Sequence, residues 1–236
     1  MKNNLLVSGL FVLFLFSSCA KENRECPGAI EQNIQIGDFT KINAGGTFTV
    51  SVVKGNDFSI KAAGCSNDLA DLDLTIEPGN ILDIKFENYR SDRHKVDFTI
   101  TMPTLIALNL SGEASGTITG FQGQNSVIRN VISGDAKCSL NGTGINAQVE
   151  LSGEAELNIA GITENLYGTI SGNARLNAYD VAADEVDIST SGTSKAYVKP
   201  IQTFFVEASG ESKVYYRGNP PAKYIVTSGN GKVIQQ

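Results

Sequence analysis

The dipeptide Ser-Gly recurs at residues 111–112, 133–134, 152–153, 171–172, 191–192, 209–210 and 228–229, at spacings of 22, 19, 19, 20, 18 and 19 residues. Few architectures accept such a period. It marks a solenoid, in which no repeat buries its apolar face alone and each must stack on its neighbours. The ladder so defined is Ser111, Gly112, Ser133, Gly134, Ser152, Gly153, Ser171, Gly172, Ser191, Gly192, Ser209, Gly210, Ser228 and Gly229. Glycine there supplies a left-handed turn conformation or room at an inward corner, and serine can hydrogen-bond the turn backbone.

The flanks carry more information than the dipeptide. With each serine as zero, position −5 holds Ile106, Ile128, Ala147, Leu166, Val186, Phe204 and Lys223. Position +5 holds Gly116, Cys138, Leu157, Leu176, Ala196, Val214 and Val233, and +7 holds Ile118, Leu140, Ile159, Ala178, Val198, Tyr216 and Gln235. These offsets share one parity, so an extended chain points them to one face. Position +3 is always small, from Ala114 to Gly231, as a narrow interior corner requires. The opposite parity is polar: +2 reads Glu113, Asp135, Glu154, Asn173, Thr193, Glu211, Asn230. Each repeat therefore predicts a strand, a tight turn and a second strand. Coil lengths that vary from 18 to 22 residues argue against the left-handed hexapeptide helix, whose coil is a strict multiple of six. The expected fold is all-β, a right-handed parallel β-helix-like solenoid over 106–236, with a polar last repeat facing water.

Residues 34–105 are strand-rich but do not share that repeat. FTVSVV, FSIKA, LDLTI, ILDIKF and VDFTITM alternate apolar and polar residues, and EPGN at 77–80 signals a hairpin. INAGGTFTVSV fits one earlier coil: with Gly45 in the serine slot, Ile42, Ala44, Phe48, Val50 and Val52 point inward, and the segment up to Leu105 becomes an insertion of hairpins.

The chain opens with MKNN, an apolar core LLVSGLFVLFLF and then FSSC. That core is short for a membrane span. A cysteine after small residues at its end resembles a bacterial lipobox, although Phe16 stands where leucine is usual. Residues 1–18 are expected to be a lipoprotein signal peptide, Cys19 the lipidated residue, and 19–33 a tether. Cys138 occupies an inward slot and is expected to be a buried small hydrophobe. Cys26 and Cys65 are available to pair, and the sequence leaves that open.

GDFTKINAGGTFTVSVVKG, VDFTITMPTLIALNLSGEASG and the Ser-Gly repeats together resemble the head-GIN-domain family of auto-transporter adhesins of Gram-negative bacteria, over roughly residues 36–234. The resemblance implies a β-helical fold similar to pectin-lyase-like solenoids and a cell-adhesion role. The family has no catalytic residues to carry over.

Residues able to do chemistry are few. His94 is the only histidine and lies in the charged stretch NYRSDRHKVD, where it reads as a solvated loop residue rather than the base of a serine hydrolase. Glu113, Asp135 and Glu154 fall on adjacent coils about 5 Å apart, near a retaining glycosidase's carboxylate separation, but a turn ladder lacks the cleft that tunes an acid. No metal or cofactor site is expected. The better binding candidate is aromatic. Tyr197 and Tyr215 occupy the outward +6 slot on successive coils beside Lys195 and Lys213, where stacked exposed rings can receive a sugar face or a protein and the lysines favour an anionic ligand.

A net charge of −6 with a pI near 4.9 disfavours nucleic acid, and no basic patch is expected. The expectation is a non-enzymatic, lipid-anchored outer-membrane protein, at the cell surface or facing the periplasm, that binds a glycan or protein; a homo-oligomer stays open. The alternatives are a periplasm-facing scaffold lipoprotein and a carbohydrate-active enzyme.

Overall fold

A computed structural model describes residues 26–121, 127–142 and 146–236. The signal segment and Cys19 lie outside the described residues. The first half supplies β1 (Ala29–Ile34), β2 (Lys41–Gly45), β3 (Phe48–Lys54), β4 (Ser59–Cys65), the one-turn helix α1 (Ser66–Leu69), β5 (Leu72–Glu77), β6 (Ile81–Phe86) and β7 (Val96–Met102). The repeats supply β8 (Ala107–Ser111), β9 (Ser115–Thr119), β10 (Val127–Ile132), β11 (Lys137–Asn141), β12 (Asn146–Leu151), β13 (Glu156–Ile170), β14 (Arg175–Thr190), β15 (Lys195–Ala208), β16 (Lys213–Tyr216), β17 (Ala222–Thr227) and β18 (Lys232–Gln235).

The repeat stacks into a β-solenoid of about six turns, as its period requires. Strands before each Ser-Gly turn pair in parallel from coil to coil, Leu110 with Ile132 and Ile132 with Leu151. Strands after each turn do the same, Cys138 with Leu157 and Leu157 with Leu176. Parity follows the repeat: from Ile128 to Phe204 the −5 residues are buried, and so are the +5 residues from Cys138 to Val214. The thiol of Cys138 is pushed up to about 12 by burial alone, which keeps it an inert packing group. Ile106 is the exception. Its −5 position predicts an inward side chain, but it is exposed. The chain enters the first repeat from the Pro103 loop with Leu105, Ala107 and Leu108 all buried, so regular alternation starts only at Leu108.

The turns themselves are bonded. The amide of Asp135 donates to Gly112 O at 2.9 Å, Glu154 to Gly134 O at 2.9 Å, and so on to Asn230 on Gly210 O at 2.7 Å. Gly153 adopts φ +73°, and a Cβ there would lie 2.9 Å from Gly134 O and 3.0 Å from Gly134 N. Glycine is thus required twice, for its conformation and for the approach of the next turn. The serines act across coils rather than within their own turn: Ser171 Oγ donates to Leu151 O and Ser209 Oγ to Thr190 O, both at 3.2 Å. Where the inner corner holds serine instead of alanine, the hydroxyl is satisfied by a carbonyl, Ser194 Oγ on Ile170 O at 3.2 Å.

The early coil exists in the expected register, with Gly45 opposite Ser111 and Ile42, Ala44, Phe48, Val50 and Val52 fully buried. The hairpin β5–β6 turns at the EPGN site. The segment after that coil is more than an insertion of hairpins: β6 runs parallel to β2 and β7 parallel to β3, so residues 81–102 stack as a coil in front of the coil that precedes them in sequence. Antiparallel β5 covers the outer edge of β6, and β4 followed by β1 covers that of β7. Ala29–Ile34 therefore form a strand within the stretch expected to be a tether.

A disulfide joins Cys26 to Cys65. Beside it Asp68, 3% exposed, accepts bonds from Arg90 Nη2 at 2.7 Å and the His94 amide at 3.1 Å, with His94 Nδ1 at 3.3 Å. His94 is therefore not a solvated loop residue; it helps clamp the 87–95 loop onto α1. The other end of the solenoid is open. Tyr224, Ile225 and Val226 of β17 are exposed, and no described strand pairs beyond β17 or β18.

Leu157→Ala is expected to lower unfolding free energy by about 2–5 kcal/mol and Gly153→Ala by about 1–3 kcal/mol. The exposed neighbour Glu154→Ala should stay within about 0.5 kcal/mol. Urea denaturation followed by circular dichroism measures all three, and equal sensitivity would contradict the inward parity.

Closing a loop across 39 residues, the Cys26–Cys65 bond should contribute about 2–4 kcal/mol. Cys26→Ser should lose that amount in the same measurement, and an unchanged midpoint would show that the cap does not depend on it.

Candidate ligand-binding face

Because the coils stack in register, each outward position becomes a column along the solenoid axis. Two columns lie side by side on the strands after the turns. One runs Glu156, Arg175, Lys195, Lys213, Lys232, each directly opposite the next. The other runs Ser139, Asn158, Asn177, Tyr197, Tyr215, Ile234. Four successive cations at the inter-strand spacing of about 4.8 Å repel one another, at roughly 0.2–1 kcal/mol per opposed pair. Among the described residues none of the four forms an ion pair with a carboxylate. On a net-acidic protein, folding alone does not account for that column.

The structure brings together the four residues singled out in the sequence. Tyr197 and Tyr215 stack with centroids 5.0 Å apart and planes 9° apart, and Lys195 and Lys213 pair in register next to them. All four are half-buried rather than fully exposed. The rings also cover each other's faces, so the expectation that the stack offers a ring face to a sugar fails between them. Hydroxyls and ring edges are what that pair presents outward.

A cleft of about 550 Å³ opens at the N-terminal end of the tyrosine stack, lined by Asn158, Arg175, Asn177, Tyr179, Asp180 and Tyr197, among others. Its wall comes from a β-bulge: the register slips between Asn158 opposite Asn177 and Ala160 opposite Asp180, and the extra residue turns Tyr179 out of the ladder. Tyr179 meets Tyr197 edge-on at 5.5 Å, lies under the Arg217 guanidinium at 4.1 Å, and donates its hydroxyl to Gln236 Oε1 at 2.8 Å. Desolvation raises the Tyr179 phenol, with Arg217 opposing and the two neighbouring tyrosines adding to the shift. On the floor, Asn177 Nδ2 donates to Asn158 Oδ1 at 2.7 Å and to Glu156 Oε1 at 3.1 Å. That leaves Asn177 Oδ1 and Asn158 Nδ2 without a partner among the described residues. The Arg175 guanidinium lies 5.8 Å from the Tyr197 ring centroid.

Sequence reasoning misses Tyr179 and Arg217, because both lie past +7, where the 18-to-22-residue spacing loses register. The signal present is the 20-residue repeat that begins at Ser171, longer than those on either side of it. A second cleft of about 690 Å³, lined by Lys85, Phe86, Arg90, Arg93 and Glu113, adjoins the first turn of the ladder. Its arginines are already engaged: Arg90 with Asp68, and Arg93 with Asp71, whose carboxyl that bond holds below its usual range. The hydrolase candidates Glu113, Asp135 and Glu154 stand exposed at the turn edge.

Residues 38–220 match the family model described as "Putative auto-transporter adhesin, head GIN domain". The chain belongs to this family. Among solved structures, a "putative adhesin" from Bacteroides fragilis is similar, with a TM-score of 0.75 and 20% identity, covering 89% of this chain and 98% of that one. A "putative adhesin" from Parabacteroides merdae has a TM-score of 0.68 at 17% identity, covering 89% and 97%. A "putative lipid binding protein" from Parabacteroides distasonis has a TM-score of 0.67 at 15% identity, covering 89% and 97%. At these identities the likeness is one of fold. No curated protein sequence matches.

The raised Tyr179 phenol has a sign that can be tested. The unfolded chain ionises this group first, so its contribution to stability is present below the ordinary tyrosine value near 10 and is lost as pH rises toward the folded value. Ultraviolet titration of the native protein should show one late-ionising tyrosine that disappears in Tyr179→Phe. A Tyr179→Phe titration indistinguishable from the parent's would place Tyr179 in bulk-like solvent.

Proposed function

We propose that the protein is a lipid-anchored adhesin of the cell envelope, a binder rather than a catalyst, whose solenoid presents the cation and tyrosine columns to a ligand. The observation that carries this reading is the row Arg175, Lys195, Lys213 and Lys232, aligned in register with no carboxylate partner among the described residues. Such an arrangement costs stability and is offset only when something anionic lies on it. Membership of an adhesin family supports the role. Asp135 and Glu154 sit exposed at the turn edge, and Glu113 is, among the described residues, the one carboxylate lining its cleft, so no acid pair is assembled in a groove, which supports binding over hydrolysis. The apolar segment ending in FSSC supports acylation at Cys19. Two or more acyl chains give stable attachment, whereas one does not.

In the native host, Cys19→Ala should abolish labelling by a clickable fatty acid and release the protein from the membrane fraction. Protease applied to intact cells should digest the parent protein, and cells lacking it should adhere less to immobilised ligand surfaces. Protection from protease in intact cells, with digestion after the outer membrane is opened, would favour a periplasm-facing scaffold instead.

A further inference from the structure

We propose that this face binds a linear polyanionic glycan, a chain of carboxylated sugars lying along the solenoid axis across β14, β15, β16 and β18, with one sugar seated in the cleft at Asn158 and Asn177. The proposal rests on the adhesin reading and names its ligand.

The first argument is periodicity. Arg175, Lys195, Lys213 and Lys232 advance by one strand spacing per coil, about 4.8 Å, each in register with the next. An extended glycan advances by close to that distance per pyranose ring. A polymer with carboxylates at regular intervals therefore meets cation after cation without bending. Lys199 and Arg217, both exposed, stand on the far side of the tyrosine column. The stacked tyrosines thus floor a shallow track with cations on both flanks, their hydroxyls available to a polar chain.

The second argument is the mixed chemistry of the cleft. A site for phosphate alone would hold donors only. Here Arg175 stands with Asp180 and the free Asn177 Oδ1, which are acceptors, and the free Asn158 Nδ2, a donor. Vicinal hydroxyls, which donate and accept at once, match that set. An acidic sugar supplies them together with a carboxylate for Arg175, which can take it bidentately.

The third argument separates the glycan from a membrane surface. Interfacial binding needs apolar side chains that insert below the headgroups. The tyrosines of this strip are half-buried and stacked on one another, and the exposed large hydrophobics Tyr224, Ile225 and Val226 belong to β17, on the other run of strands.

The test uses the non-acylated mature chain, residues 20–236, with polygalacturonate as probe, its fully methyl-esterified form as the uncharged counterpart, and phosphatidylglycerol vesicles. Calorimetry should show binding to polygalacturonate that weakens with added salt, is lost on esterification, and is absent with vesicles. Lys195→Ala/Lys213→Ala should weaken it roughly tenfold, as for two partly exposed ion pairs, with a melting temperature no lower than the parent's, since the opposed cations repel. Asn158→Ala/Asn177→Ala should weaken it while leaving the salt dependence intact. Equal binding of the acid and its ester, binding to vesicles alone, or no binding to polygalacturonate each overturns the proposal. The adhesin reading fails separately: if no glycan binds yet the lysine double variant still abolishes cell attachment, the face stands and the ligand class is wrong. If attachment too is unaffected, both fall.

Discussion

Everything in the solenoid depends on how closely one Ser-Gly turn can approach the next. The amide just after each glycine reaches the glycine carbonyl of the coil before it, at 2.7–2.9 Å along the six steps from Asp135 to Asn230. No side chain fits in that contact, as the 2.9 Å from a Cβ on Gly153 to Gly134 O shows. Fixing the turns fixes the register of both strands that leave them. Register in turn converts a one-dimensional repeat into straight columns, apolar inside and polar outside. The cation row and the tyrosine stack are by-products of the same constraint that closes the core, which is why a coil of variable length can still present an orderly face.

That dependence also explains what is legible in the sequence. Alternation between Leu157 and Ile159, or between Ala196 and Val198, is a local property, and burial follows from it directly. Gly45 can be matched to Ser111 for the same reason. The misses share a different cause. β1 reads AIEQNI, almost wholly exposed, and is held by backbone pairing to β4 rather than by a buried stripe, so no periodicity announces it. The placing of β6 and β7 ahead of β2 and β3 is a long-range pairing that no window of local sequence contains. Tyr179 lies at a bulge, where one extra residue leaves Tyr179 and Asp180 both on the outer side and breaks the alternation for everything after it.

The two ends of the molecule solve the edge problem differently. At the N-terminal end, antiparallel strands, a disulfide and a buried aspartate cover the first coil. Asp68 would be costly to bury alone, and Arg90, Arg93 and His94 surround it from a single loop. Arg93 also lies over the Phe86 ring at 3.6 Å, so the loop is packed as well as paired. At the opposite end Lys223 and Gln235 occupy inward slots, and the polarity of the last coil stands in for the covering strands of the first.

The out-of-order first coil has a consequence in time. The pairings of β1 with β4, β4 with β7, β3 with β7, β2 with β6 and β5 with β6 all lie within residues 29–102, as does nearly all of the loop closed by Cys26 and Cys65. A chain emerging with its N-terminus first holds all the partners of a finished seed before its first Ser-Gly turn has appeared. The seed leaves β2 and β3 as its bare margin; β8 and β9 reach back across the seed to pair with them, and each segment after that needs to find only the one synthesised about one period earlier. Growth then proceeds from one end, with a short loop to close at every step after that first docking.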